Sequence, residues 1–179
     1  MANRKFYPKR RVWDFVRISS VSDLNATLVR DFERNYREAA QKMRALVEPL
    51  TDAQIWTRPY PYGNSIGHLL LHLTGNLSYY IGAEMGSTGY VRNRPLEFAD
   101  TSHAPKAELL GKFDAAIATV VAVLRKQSER DWAAEYAAKG FEDCGDRFTA
   151  ILLCAAHLSH HTGQIIYLCK ELERDSGTD

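Results

Sequence analysis

Four long segments of this chain place apolar residues three and four positions apart, the spacing that puts them on one face of an α-helix. The segments cover residues 25 to about 50, 64 to about 86, 102 to 127 and 145 to about 174. Sustained two-residue alternation is missing from the sequence, although residues 133 to 145 could hold a short extended piece. The pattern predicts an all-α protein, an antiparallel four-helix bundle.

Capping and breaking residues predict where the helices begin and end. Thr51 and Gln54 have the spacing of a capping box, so a short helical turn is expected after the first helix. Either Asn64 or Ser65 can cap the second helix, two glycines end it, and residues 86–101 are predicted to form a long loop. In the last helix one stripe is expected to face inward: Leu153, His157, His161, Gln164, Leu168 and Leu172.

Length and charge indicate one domain without a strongly charged partner. The chain has 179 residues, of which 45% are hydrophobic, enough for a core. We expect a basic N-terminal arm at residues 1–24, with aromatic side chains that cover the domain surface, and a bundle at residues 25–175. The 23 basic residues are offset by 22 acidic ones, a net charge of +1, so we expect neither nucleic acid nor a membrane as partner.

The cysteines and the lack of a leader pattern predict a cytoplasmic protein. Cys144, Cys154 and Cys169 form an odd set without a C-x-x-C pair, which suits a reducing compartment and predicts no disulfide. The first twenty residues contain no apolar run that could serve as a signal core, and no later stretch is long enough to span a bilayer.

Three histidines are spaced so that they can converge. His157 and His161 are one turn apart, so they share a face of the last helix, while His72 lies in the middle of the second helix. An imidazole from a facing helix would complete a three-nitrogen site that leaves coordination positions open, as catalytic metal sites do. The sequence thus indicates a candidate metal centre.

Spacing alone leaves the choice of ligands open. His160 could replace His161, His68 could be a fourth ligand or support a ligand, and Cys154 lies three residues before His157. A single histidine on an apolar face is usually a neutral ring bonded to a neighbour. Several buried imidazoles without a common purpose would be harder to satisfy, which favours metal binding.

Four segments carry a resemblance to a known family: NSIGHLLLHLTGN (64–76), its end HLTGN (72–76), VRNRPLEFAD (91–100) and HLSHHTGQIIYLCKEL (157–172). They resemble the DinB-like superfamily, over residues 25–173. The resemblance implies a four-helix bundle, usually a homodimer, with a divalent metal ion held by three histidines. Carried onto this chain, that triad falls on His72, His157 and His161.

The resemblance does not imply one reaction, because similar proteins include thiol S-transferases, a mycothiol-dependent isomerase and proposed hydrolases. Our first hypothesis is metal-dependent transfer of a low-molecular-weight thiol to a small electrophile, with zinc as the expected ion and nickel or iron as alternatives. Arg92 and Arg94 could bind a carboxylate of the thiol or substrate, and Asn76 and Tyr79 could line the pocket.

Two other hypotheses use the same ligands. The second is a metal-dependent hydrolase, for which Glu97 in the loop is the one candidate base. The third is a non-catalytic metal-binding stress-response protein. The sequence names no catalytic residue.

Overall fold

The computed structural model describes residues 21–176, and it confirms the all-α fold class. The predicted N-terminal arm lies outside the described residues, except that residues 21–24 belong to the first helix. The elements are α1 (Val21–Val47), α2 (Asp52–Trp56), α3 (Ile66–Leu77), a π-helical segment (Ser78–Ala83), α4 (Glu84–Gly86), α5 (Arg94–Ala99), α6 (Lys106–Leu124), α7 (Glu129–Trp132), β1 (Glu135–Tyr136), β2 (Gly145–Asp146) and α8 (Arg147–Ser176).

The four long helices form a bundle in which α1 and α3 each pack against both α6 and α8. Ion pairs and hydrogen bonds between the helices show that α6 runs antiparallel to α1, whereas α8 runs in the same direction as α1. The contacts are Glu33 with Arg125 and Arg44 with Asp114 for α6, and Tyr36 with Ile151 and Leu46 with Cys169 for α8.

Helix α3, continued by the π-helical segment and α4, runs in the same direction as α6, since Gly82 of the π-helical segment lies against Thr119 and Gly86 of α4 lies against Val123. Two parallel helices that follow one another in sequence need a connection that returns along the bundle. That requirement explains the length of the segment between Gly86 and α6. The segment carries α5, which packs against α3, and it thereby brings loop residues beside His72.

The capping residues act as the sequence predicts. The Thr51 hydroxyl accepts from the Gln54 backbone N–H at 3.2 Å, and the Gln54 side chain accepts from the Thr51 N–H at 2.9 Å. Ser65 caps α3 by accepting from the backbone N–H of His68 at 3.2 Å. Asp146 accepts from the Thr149 N–H at 2.7 Å at the start of α8.

The core lies between the four long helices and consists of aliphatic and aromatic side chains. Residues from every helix of the bundle are fully buried, which is how an amphipathic bundle obtains most of its stability. Among the largest are Tyr36, Met43, Leu70, Leu73, Leu77, Phe113 and Leu124.

The structure differs locally from the sequence predictions in the loop after Gly86 and on the buried face of α8. The predicted loop at residues 86–101 contains a helix, α5, which begins with Pro95 in its first turn. The extended piece expected at residues 133–145 is present as the antiparallel pair β1–β2. On α8 the predicted inward stripe is partly wrong, because Leu153 and Gln164 are exposed. The buried face of α8 follows Cys154, Leu158, Ile165 and Leu172 instead.

Across the described residues, no helix combines the length and apolar character needed to cross a membrane.

Candidate metal centre

The structure brings His72 of α3 together with His157 and His161 of α8. The Nε2 atoms of His72 and His157 are 3.1 Å apart, and those of His157 and His161 are 3.0 Å apart. The ligand atoms of the three residues all lie within 4.8 Å of one another. His72 is buried, whereas His157 and His161 are partly exposed, so the cluster is reached from the α8 side.

Glu97 and Arg92, both in the segment between Gly86 and α6, support the His72 ring on the side opposite the cluster. Nδ1 of His72 lies 2.7 Å from Oε2 of Glu97, and Arg92 binds the same carboxylate through Nε at 2.7 Å and Nη2 at 2.9 Å. The side chains of all three are less than one-tenth exposed. The Phe98 ring packs on the His72 ring with centroids 4.7 Å apart.

Glu97 is ionised in this environment. Burial alone favours its neutral form, but the hydrogen bonds from His72 and Arg92 outweigh burial and lower the pKa of Glu97. A carboxylate can only accept, so His72 carries its proton on Nδ1 and donates it to Glu97. Arg92 Nη2 also lies 3.3 Å from that nitrogen, but the shorter contact with an anionic acceptor decides the tautomer.

The two α8 histidines have weaker support. His161 donates from Nδ1 to Oε1 of Gln164 at 2.7 Å, and the Gln164 amide in turn lies 3.2 Å from Nε2 of the exposed His160. His157 Nδ1 is buried and has no hydrogen-bond partner within residues 21–176. Burial and then the neighbouring His161 and His72 lower the pKa of His157 to about 3, and burial lowers the pKa of His161 as well.

A count of protons shows why this cluster fits a cation. In neutral His72 and His161 the proton is on Nδ1, so both Nε2 atoms point a lone pair into the cluster. Neutral His157 has one proton and can satisfy at most one of those lone pairs. A divalent ion satisfies all three nitrogens, and ligands at about 2.0–2.1 Å from a tetrahedral ion are roughly 3.3 Å apart, close to the 3.1 and 3.0 Å that separate His157 Nε2 from Nε2 of His72 and of His161.

The alternatives left open by the sequence lie outside the cluster. His68 is bonded at Nδ1 to Ser65 at 2.6 Å, and its Nε2 contacts Arg58 and the Asp100 carbonyl. Cys154 is fully buried, and burial raises the pKa of its thiol to about 12. Within the described chain the group of histidine, cysteine and acidic residues able to hold an ion consists of His72, His157 and His161.

The predicted substrate-binding residues fall into different surroundings. Arg92 forms a salt bridge with Glu97, whereas Arg94 is exposed and its guanidinium carbon lies 5.4 Å from the centroid of the Phe98 ring. Asn76, one turn after His72, is buried, and none of the described residues bonds to its Oδ1. Tyr79 lies in the π-helical segment, where burial and then a hydrogen bond to Glu84 raise its pKa.

Sequence reasoning missed the part that Glu97 and Arg92 play behind His72. Glu97 was named as a candidate base and Arg92 as a carboxylate ligand, but each binds the other. Twenty-five positions separate Glu97 from His72, and no helical period links them. The sequence did contain one signal: an arginine and a glutamate five positions apart in the same predicted loop, which could have been interpreted as an ion pair.

A helical bundle in which two facing helices bring three neutral imidazoles together is typical of a class of metal-binding proteins. The sequence profile of the DinB superfamily matches residues 35–165, most of the chain, and the protein belongs to that superfamily. Proteins of this kind bind metal, and the histidine triad here could hold an ion. A search of curated proteins finds no match.

The fold is also similar to a solved structure. That structure is the crystal structure of a conserved protein from Enterococcus faecalis, with a TM-score of 0.66 and 18% sequence identity. The alignment covers 81% of this chain and 96% of that chain. At this identity the likeness concerns the fold alone.

Proposed function

We propose that the protein binds a divalent metal ion, zinc in the first place, through His72, His157 and His161, and that it is a metal-dependent thiol S-transferase. The observation that carries the proposal is a cluster of three imidazole nitrogens with no carboxylate among them. When bound, the ion would keep its full double charge and lower the pKa of a thiol or water that reached it.

The protein residues around the cluster favour a thiol over water as nucleophile. A hydrolase of this kind needs a carboxylate base beside the reacting water. Glu97 cannot serve as that base while its oxygens accept from His72 and Arg92. A thiol is more acidic than water and needs no such base. In the proposed reaction a carbon–sulfur bond forms, the leaving group departs with its electron pair, and the thiol proton passes to solvent.

Arg94 is the proposed anchor for the small-molecule substrate. It lies over the Phe98 ring, and Phe98 packs on His72, so one aromatic ring separates its guanidinium from His72. An exposed arginine can bind a carboxylate of the thiol or the acceptor through two parallel hydrogen bonds. Asn76 offers a buried oxygen without a partner among the described residues, which suits a donor on the same ligand.

Metal analysis tests the first half of the proposal. The protein is purified without an affinity metal, and the ion content of the native chain is compared with that of His72→Ala and His160→Ala. We expect about one ion per chain in the native protein and in His160→Ala, because His160 lies outside the cluster, and loss of the ion in His72→Ala. Native protein without an ion would refute metal binding.

Thiol consumption tests the second half. Metal-loaded protein is incubated with physiological thiols and electrophilic acceptors, and free thiol is followed over time. We expect consumption that depends on the ion and falls in Arg94→Ala through a raised KM. Metal-loaded protein that neither binds nor consumes any thiol would refute the transferase and favour a non-catalytic metal-binding protein.

The homodimer implied by the resemblance also stays a proposal, and light scattering of the purified protein tests it.

A further inference from the structure

Gly75 lies where the Glu97 carboxylate meets α3. It is buried and stands three residues after His72, on nearly the same face of the helix. A Cβ placed on Gly75 would overlap Oε1 of Glu97, whereas the next neighbour, the Tyr90 hydroxyl, is at an ordinary contact distance of 3.5 Å. The position therefore requires glycine for space and not for backbone conformation.

The carboxylate is held on several sides at once. Oε2 accepts from His72 and from Arg92, and Oε1 accepts from Arg92 Nε while resting against Gly75. A displacement of Glu97 away from α3 would break its hydrogen bond with His72. That bond fixes both the tautomer and the ring orientation of His72, and outer contacts of this kind typically change metal affinity 10- to 100-fold.

We propose that Gly75, Arg92 and Glu97 form one positioning unit that presents Nε2 of His72 to the metal ion, and that Gly75 belongs to the unit because it makes room for the carboxylate. The inference rests on the metal-binding half of the proposed function and does not depend on thiol transfer. None of the three residues contacts the ion. Each acts through His72.

A double-mutant cycle tests the unit. The dissociation constants of Co²⁺ and Zn²⁺ are measured by competition with a chromophoric chelator for the native protein, Gly75→Ala, Glu97→Ala and the double variant. We expect each single variant to bind about 10- to 100-fold more weakly. In the double variant the shortened side chain at position 97 leaves space for the new methyl group, so we expect no further loss beyond Glu97→Ala.

Gly111→Ala is the matched control. Gly111 lies in helix α6, and no described residue outside the surrounding helix backbone comes within 4 Å of an added Cβ. The same substitution there should leave metal affinity unchanged. The absorption spectrum of bound Co²⁺ gives a second measurement, and it should change in Gly75→Ala and not in Gly111→Ala.

Each outcome decides the matter. If the losses of binding free energy in Gly75→Ala and Glu97→Ala add up in the double variant, Gly75 acts on the fold and not on Glu97, which overturns the inference. If Gly75→Ala does not fold, the double variant should fold, as judged by circular dichroism, and failure of both also overturns it. Native affinity in both single variants overturns this inference alone, whereas a native protein that binds no ion overturns the proposed function as well.

Discussion

The two helices that supply the candidate metal site support their histidines differently. On α3, His72 is buried and bonded to an ionised carboxylate that is itself paired with Arg92. On α8, His161 relies on the exposed amide of Gln164, and His157 Nδ1 has no hydrogen-bond partner. One side of the site is rigid before any ion arrives, and the other side can adjust.

The difference indicates how binding energy is distributed. A preorganised ligand loses little freedom when it binds, because packing and hydrogen bonds already hold its ring. A partly exposed ligand must be ordered by the ion itself. We therefore expect contacts behind His72 to matter more for stability and affinity than contacts behind His161.

Arg92→Met should have the largest effect on stability. It leaves the Glu97 carboxylate buried without its cation, and breaking a buried pair in this way costs about 3–5 kcal/mol. Urea unfolding of the metal-free protein measures the loss. Arg125→Met is the matched control, because Arg125 pairs with Glu33 at the exposed surface, and such pairs contribute about 0–1 kcal/mol. Equal losses in the two variants would contradict the comparison.

The stability of the metal-free protein should fall as the pH falls below about 6.5, the ordinary value for histidine. The pKa of folded His157 is about 3 and that of His161 is lowered, so between these values the unfolded chain binds more protons than the folded one. After allowance for partial exposure we expect a loss of about 1–2 kcal/mol between pH 7 and pH 4.

Chemical unfolding at a series of pH values, with a chelator present, measures this dependence. Replacing His157 by Gln should flatten the curve, because the substituted side chain does not take up a proton. A curve that keeps its full slope in His157→Gln would show that the acid sensitivity originates elsewhere.

Gln164→Ala should have the smallest effect. The amide is exposed, and water can replace it as the acceptor from His161 Nδ1. We expect metal affinity to fall by less than about 5-fold, below the 10-fold or more expected for a buried support. Chelator competition on Gln164→Ala and Glu97→Ala side by side provides the measurement. A larger loss in Gln164→Ala would reverse the proposed ranking of the two sides.

Periodic features of the sequence predicted the long helices and showed that histidines of two helices can converge, whereas the choice of His72, His157 and His161 among them came from the family resemblance. The apolar stripe places Tyr36 and Met43 in the core, and the four-residue spacing places His157 beside His161. These predictions succeed because neighbours on a helix are fixed by its geometry. On α8 the predicted stripe was wrong at Leu153, which is exposed, because the buried face of the helix follows Cys154, Leu158 and Ile165 instead.

Contacts between distant segments could not be predicted in the same way. The direction of α3 relative to α6 depends on the return path of the intervening segment, and the pairing of Glu97 with His72 depends on that path. No local pattern in residues 86–101 encodes it. In this segment Arg94 is exposed beside Phe98, whereas Arg92 and Glu97, both predicted to serve other roles, are bonded to each other and to His72.

The π-helical segment Ser78–Ala83 directly follows the part of α3 that carries His72 and Gly75. A π-helix holds more residues per turn than an α-helix, so this stretch can store one additional amino acid without shifting anything before it. We expect relatives of different length to gain or lose single residues here, while the geometry upstream stays constant. Removal of one residue should yield an uninterrupted α-helix, which makes this stretch a natural place for evolution to vary chain length.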